Sequence, residues 1–142
     1  MISEYMTEAH RQCDDHFAQA EESAANGQLD EALKAFNQFH LEMEAHFSKE
    51  EKILFPAFEQ ATGMTTGPTQ VMRMEHTQMS SPLDEMLQSL TAQDSEQYLG
   101  LGETLLILMQ QHNMKEEQIL YPMADKSLAS NNETVLAQMQ AL

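Results

Sequence analysis

Tryptophan is absent from this 142-residue sequence, cysteine occurs once, and only 7 basic side chains face 23 acidic ones, for a formal net charge of −16. A single cysteine cannot close an internal disulfide, so no secreted disulfide scaffold is encoded. The shortage of Lys and Arg argues against binding nucleic acid through its phosphates, and against an anionic membrane surface. The opening MISEYMTEAH has no basic stretch followed by an apolar one, so no signal peptide is expected. The longest apolar run, Leu105 to Met109, is far too short to cross a bilayer. These absences lead us to expect one cytoplasmic domain over residues 1–142.

What is abundant is methionine, with 12 residues, and histidine, with 6. Helix formers dominate and strand-type alternation is missing. Breaks at Asn26-Gly27, at Thr62 to Pro68 and at Thr91 to Asp94 divide the chain into segments of roughly 3–25, 29–61, 69–91 and 95–126. Thr69 and Asp94 read as N-caps, and a tail helix is expected after Asn131-Asn132. Each segment carries a seam at three- and four-residue steps. The seams read Met6, His10, Cys13, Phe17, Ala20; Phe36, Phe39, Met43, His46, Glu50, Ile53, Ala57; Met72, His76, Met79, Leu83, Met86, Leu90; and Leu105, Met109, His112, Glu116, Ile119, Met123. Long helices with short connections predict an all-α fold, an up-down-up-down antiparallel four-helix bundle over about 3–126 with a short C-terminal tail helix in 127–142. Four histidines and two glutamates then occupy positions where a bundle normally places leucine.

An internal repeat sharpens the pattern. HFSKEEKILFP, from His46 to Pro56, matches HNMKEEQILYP, from His112 to Pro122, and the same offset carries His10 to His76, Met6 to Met72 and Met43 to Met109. His10 and His46 lie nearly equally far from the first turn, as His76 and His112 do from the turn near residue 93. All four histidines therefore fall in one layer. Residues four apart on a helix share a face, so His46 with Glu50 and His112 with Glu116 can converge inside the bundle. Without a metal, that many buried polar groups would leave several unsatisfied at about 1–3 kcal/mol each. Imidazole with carboxylate suits iron, manganese or zinc, and carboxylates can bridge two ions. The lack of cysteine ligands argues against a structural zinc or an iron–sulfur cluster. A dinuclear iron centre is the natural reading.

In the order His10, His46-xxx-Glu50, His76, His112-xxx-Glu116, the chain resembles the hemerythrin family, specifically its bacterial HHE cation-binding domains, from about Ser3 to Lys126. The Glu-Glu-x-Ile-Leu-(Phe/Tyr)-Pro strings, Gly67-Pro68-Thr69 and Val71 to His76 carry the same likeness. The resemblance implies two non-haem iron ions, oxo- or hydroxo-bridged, held by His10, His46, Glu50, His76, His112 and Glu116, with Glu50 and Glu116 as bridges. Oxygen carriers of the family have a fifth histidine on the third helix. The corresponding places here are Met72 and Ser80, which leaves an open or differently filled position and puts reversible oxygen carriage in doubt. Ser80-Ser81-Pro82 further predicts a kink or restart in the third helix.

Other residues read more plainly. His16 and His40 lie off the seam and are expected to be surface bystanders. Asp14, four after His10, is a candidate acceptor or extra ligand that the repeat does not require, its counterpart being Ser80. Glu51 and Glu117 point about 100° from the bridging positions, toward supporting or solvent roles. Cys13 and the seam methionines read as core, with a redox-active or nitric-oxide-reactive thiol as the sharper alternative for Cys13 and a lining for a diatomic ligand as that for the methionines. Close helix contact is expected at Gly100 and Gly102, and Pro56 and Pro122 are expected to end or kink their helices. The leading expectation is binding of dioxygen, nitric oxide or peroxide at the iron centre in sensing, storage or stress defence, with any signalling output needing a protein partner. The alternatives are a di-iron enzyme decomposing peroxide or reducing nitric oxide, and iron storage or delivery for iron–sulfur repair. Repair-type relatives carry a cysteine-bearing N-terminal segment, whereas this sequence begins almost at its first helix, which lowers that last expectation.

Overall fold

The computed structural model describes residues 1–142 and is helical throughout, without a strand. Helix α1 spans Ile2–Ala25 and α2 spans Leu29–Lys49. The turn between them uses Gly27 at φ +76°, a left-handed conformation that favours glycine. A π-helical turn, Glu50–Leu54, leads from α2 into α3, Phe55–Thr62, which ends on Gly63 in the left-handed conformation. Helix α4, Pro68–Thr91, and helix α5, Ser95–Lys115, form the second pair. A second π-turn, Glu116–Leu120, leads into α6, Tyr121–Ser127, and α7 covers Asn132–Gln140 after Asn131. Helix α1 packs along α2 and α4 along α5, and the two hairpins meet through α1 with α5 and α2 with α4.

The helix starts agree with the sequence at one cap and depart from it at another. Asp94 caps α5, its carboxylate accepting from the Gln97 backbone N–H at 3.0 Å. Thr69 is no cap: α4 begins one residue earlier, with Gly67 at the cap and Pro68 at the first helical position. Proline needs no N–H there and its fixed φ starts the helix. Thr69 is instead buried and donates to Glu59 Oε2 at 2.7 Å, where Arg73 also binds at 2.5 Å. This clasp joins the two ends of the connection between α3 and α4.

The third helix does not restart at Pro82; α4 runs unbroken through it. Ser80 Oγ donates to the His76 carbonyl at 3.2 Å, within the turn before the proline. Pro56 and Pro122 likewise begin further helix instead of ending it. A proline has no N–H and its ring crowds the carbonyl four residues back. The widened turns just before each proline are the local adjustment, closed by bonds from Phe55 N–H to the Glu50 carbonyl and from Tyr121 N–H to the Glu116 carbonyl.

Those turns also move the seam. Up to Glu50 and Glu116, every residue of the predicted seams from Met6, Phe36, Met72 and Leu105 onward is buried. Beyond them the buried positions are Leu54, Phe55 and Phe58, and Leu120, Tyr121 and Ala124. Ile53 and Ala57 are half-buried, Met123 likewise, and Ile119 is 54% exposed. One extra residue in the turn rotates the rest of the helix about its axis, so the 3.6-residue extrapolation fails there.

Two apolar cores result. One gathers Phe17, Phe36, Phe39, Met86, Tyr98 and Leu105 towards the hairpin turns. The other gathers Met6, Leu54, Phe55, Phe58, Met72 and Tyr121 at the opposite end, under α7. At Gly102 an added Cβ would meet Met86 Cε at 3.6 Å and Phe17 Cζ at 3.7 Å, ordinary van der Waals contact, and Gly100 faces open space, so the expected close helix contact is found at neither glycine. The polar layer lies between the two cores.

Candidate metal centre

His10 on α1, His46 on α2, His76 on α4 and His112 on α5 all point inward and are each 2–4% exposed, while Glu50 and Glu116 at the starts of the π-turns are fully buried. His10 and His46 have ring centroids 4.6 Å apart, and His76 and His112 are 4.9 Å apart. Candidate ligand atoms of Glu50, His76, His112 and Glu116 all lie within 4.8 Å of one another, and so do those of His10, His46 and Glu116. The structure thus brings the six residues singled out in the sequence into one layer, as two adjoining groups that share Glu116.

Four atoms of this layer, Glu50 Oε1, Glu116 Oε2, His76 Nε2 and His112 Nε2, are buried without any hydrogen-bond partner. His76 Nε2 and Glu50 Oε1 lie 3.1 Å apart, yet not in hydrogen-bonding geometry. Leaving four such groups bare would cost about 1–3 kcal/mol each. Aimed at a common space, imidazole nitrogens and carboxylate oxygens are what a divalent first-row metal would satisfy. The residues present therefore fit a metal.

Three of the histidines are held from behind by carboxylates. His10 Nδ1 meets Glu117 Oε2 at 2.7 Å, His76 Nδ1 meets Glu51 Oε2 at 2.8 Å, and His112 Nδ1 meets Glu75 Oε1 at 2.9 Å. Lys115 binds the second oxygen of Glu75. A carboxylate on Nδ1 fixes the ring orientation and leaves Nε2 free to bind a metal. Glu51 and Glu117 thus support histidines of the opposite hairpin. The role of Glu75 was not visible in the sequence, because its repeat counterpart is Ala9. For the same reason His46 Nδ1 has no partner.

Electrostatics track the burial. Burial, then the neighbouring Glu116 charge, pushes the Glu50 carboxyl well above its ordinary range. Burial opposes ionisation of Glu116 as well, but the adjoining Glu50, His10, His112 and His46 side chains outweigh it and hold Glu116 low. Burial lowers His46 to about 4 and also lowers His76, which keeps both rings neutral, the form a metal requires. At His112 burial is outweighed by Glu116 and Glu75, and the ring is shifted upward.

The other candidates lie apart. His16 Nδ1 meets Glu42 Oε2 at 2.8 Å and the Gln12 carbonyl at 3.0 Å, and His40 Nε2 lies 3.2 Å from Glu44. Asp14 is exposed and makes no bond to His10. Ser80 is exposed, and Met72 packs in the core beside Phe55 and Tyr121. Cys13 is buried among Phe17 and Met43, and burial, with Glu42 and Asp14 nearby, pushes its thiol up to about 12. That keeps it protonated and a weak nucleophile.

One residue of the layer escaped the sequence reading. Tyr121 Oη lies 2.8 Å from Glu50 Oε2, 3.0 Å from Glu116 Oε1, 3.1 Å from His46 Nε2 and 3.2 Å from His10 Nε2. Residues five apart on an ordinary helix diverge by about 140°, so Glu116 and Tyr121 would not meet without the π-turn. The available signal was the pairing of Tyr121 with Phe55 in the repeat, two aromatic residues that differ by one hydroxyl.

Comparison with known proteins gives a consistent picture. The family described as Hemerythrin HHE cation binding domain matches residues 1–124. Proteins named "Iron-sulfur cluster repair protein YtfE" from Salmonella schwarzengrund, Salmonella paratyphi B and Salmonella newport are each 33% identical over 101 residues, covering 64% of this chain and 46% of the relative. The chain thus spans about half the length of these curated relatives. No solved structure gives a significant match.

Proposed function

Because the chain belongs to the hemerythrin HHE cation-binding family, we propose that it is a di-iron protein binding dioxygen, nitric oxide or peroxide inside an up-down-up-down helix bundle. The observation that carries this reading is the set of four buried, unpartnered ligand atoms on Glu50, His76, His112 and Glu116. His10 and His46 would hold one iron, His76 and His112 the other, with Glu50 and Glu116 bridging. Iron bound there supplies the electrons and the coordination position for a small oxidant ligand.

The chain's own residues account for the rest. Glu117, Glu51 and Glu75 orient His10, His76 and His112 through their Nδ1 atoms. Tyr121 Oη reaches both central carboxylates, 2.8 Å from Glu50 Oε2 and 3.0 Å from Glu116 Oε1, and so ties the two hairpins together at the centre. The two apolar cores above and below the layer exclude water, which slows uncontrolled loss of the reduced state. No helix is long and apolar enough to cross a membrane; a cytoplasmic location is part of the proposal.

The test is anaerobic loading with ferrous iron, followed by absorption spectra after separate exposure to oxygen, nitric oxide and peroxide. A distinct spectrum with at least one of them supports the reading; identical spectra in all three arms contradict it. A second reading, iron delivery to damaged iron–sulfur clusters, is favoured by the names of the Salmonella relatives. Transfer of counted iron from the loaded protein to an apo cluster protein would support it.

A further inference from the structure

We propose that the phenol oxygen of Tyr121 is a fifth protein ligand on the His10/His46 side of the centre, so that the two sides are chemically unequal and only the His76/His112 side keeps a position for an outside molecule. This rests on the iron-binding reading above. Tyr121 Oη has four neighbours, Glu50 Oε2, Glu116 Oε1, His46 Nε2 and His10 Nε2, at 2.8, 3.0, 3.1 and 3.2 Å. A phenol has one proton to donate and two lone pairs, so hydrogen bonding serves at most three partners. A corner of an octahedron has four adjacent corners. With metal–ligand distances of about 2.0–2.2 Å, adjacent corners lie about 3 Å apart. The surroundings of Oη have that number and that spacing, and the two imidazoles and two carboxylates are the residues already assigned to this side.

The repeat supplies the comparison. The Tyr121 ring stacks on His10 with centroids 5.7 Å apart, and Phe55, its counterpart, stacks on His76 at 5.9 Å. Phenylalanine brings no oxygen, so the second side has only Glu50, His76, His112 and Glu116, walled by the Phe47 ring 3.8 Å from His76. The place where a fifth histidine would stand on α4 holds Met72, which is buried in the core. Binding as a phenolate releases the O–H proton, as for other ligands that must be deprotonated to bind a metal.

The experiment loads the full chain with iron, oxidises it to the ferric state, counts iron, and records visible absorption and resonance Raman spectra. The expected result is a phenolate-to-iron charge-transfer band that enhances tyrosine ring modes. Tyr121→Phe should lose band and ring modes completely when the spectra are normalised to the iron bound; the fold already carries Phe55 at the equivalent place. A double variant, Tyr5→Phe with Tyr98→Phe, leaves Tyr121 as the only tyrosine and should keep both signals. Full iron loading without tyrosine modes in the wild type, or their survival in Tyr121→Phe, overturns this proposal alone. Failure of the wild type to bind iron overturns it together with the reading on which it rests.

Discussion

Glu51 Oε2 lies 2.8 Å from His76 Nδ1, so a residue in the π-turn of one hairpin orients a histidine of the other. Glu117 repeats the contact on His10 at 2.7 Å. The hairpins are thus coupled through the supports of their histidines as well as through apolar packing. Both glutamates are partly exposed, at 42% and 36%, while the rings they hold are buried.

Glu51→Gln and Glu117→Gln should therefore weaken metal binding without unfolding the protein. The expected loss in iron affinity is about 10–100-fold for each, by competition with a chelator of known affinity. Glu44→Gln, at an exposed partner of His40, should leave affinity unchanged.

The six histidines should separate into two classes. His16→Ala and His40→Ala should keep the wild-type iron count, because these rings bond to Glu42 and Glu44 on the flank of the first hairpin. His10→Ala should lower the count. Metal analysis of the purified variants decides between this grouping and a different register.

The clasp of Glu59 with Arg73 and Thr69 gives a pH signature away from the centre. Hydrogen bonds from Arg73, only partly offset by burial, hold Glu59 below its ordinary value of 4.5. A lowered folded-state value means that the stabilisation is complete above the ordinary value and disappears as pH falls through the folded one. Glu59→Gln should cost about 1 kcal/mol at pH 7. The gap from wild type should close in urea titrations as pH falls below the ordinary carboxylate range.

Tyr98 buries its hydroxyl in the first core without a hydrogen-bond partner. Tyr98→Phe removes that group and keeps the ring that packs edge-on against Phe36. Thermal or urea unfolding should show stability raised by about 1 kcal/mol.

Much of this arrangement was legible in the sequence, because helix periodicity and a repeat together fix both face and height. His10, His46, Glu50, His76, His112 and Glu116 fall in the buried layer as the seams predict. What escaped lies just beyond Glu50 and Glu116. Constant helical pitch points Ile53 and Ile119 inward, whereas the π-turns bring in Leu54 with Phe55 and Leu120 with Tyr121. The departures from the repeat were equally hard to interpret in one dimension. Glu75 and Tyr121 differ from Ala9 and Phe55, and only the packed structure shows that both differences fall on residues of the buried polar layer.

The most direct measurement is the iron content of the full chain after anaerobic reconstitution and removal of loosely bound metal. The predicted result is about two iron ions per chain, one from each adjoining group of ligands. Fewer than about one per chain, with the protein folded, would contradict a di-iron centre.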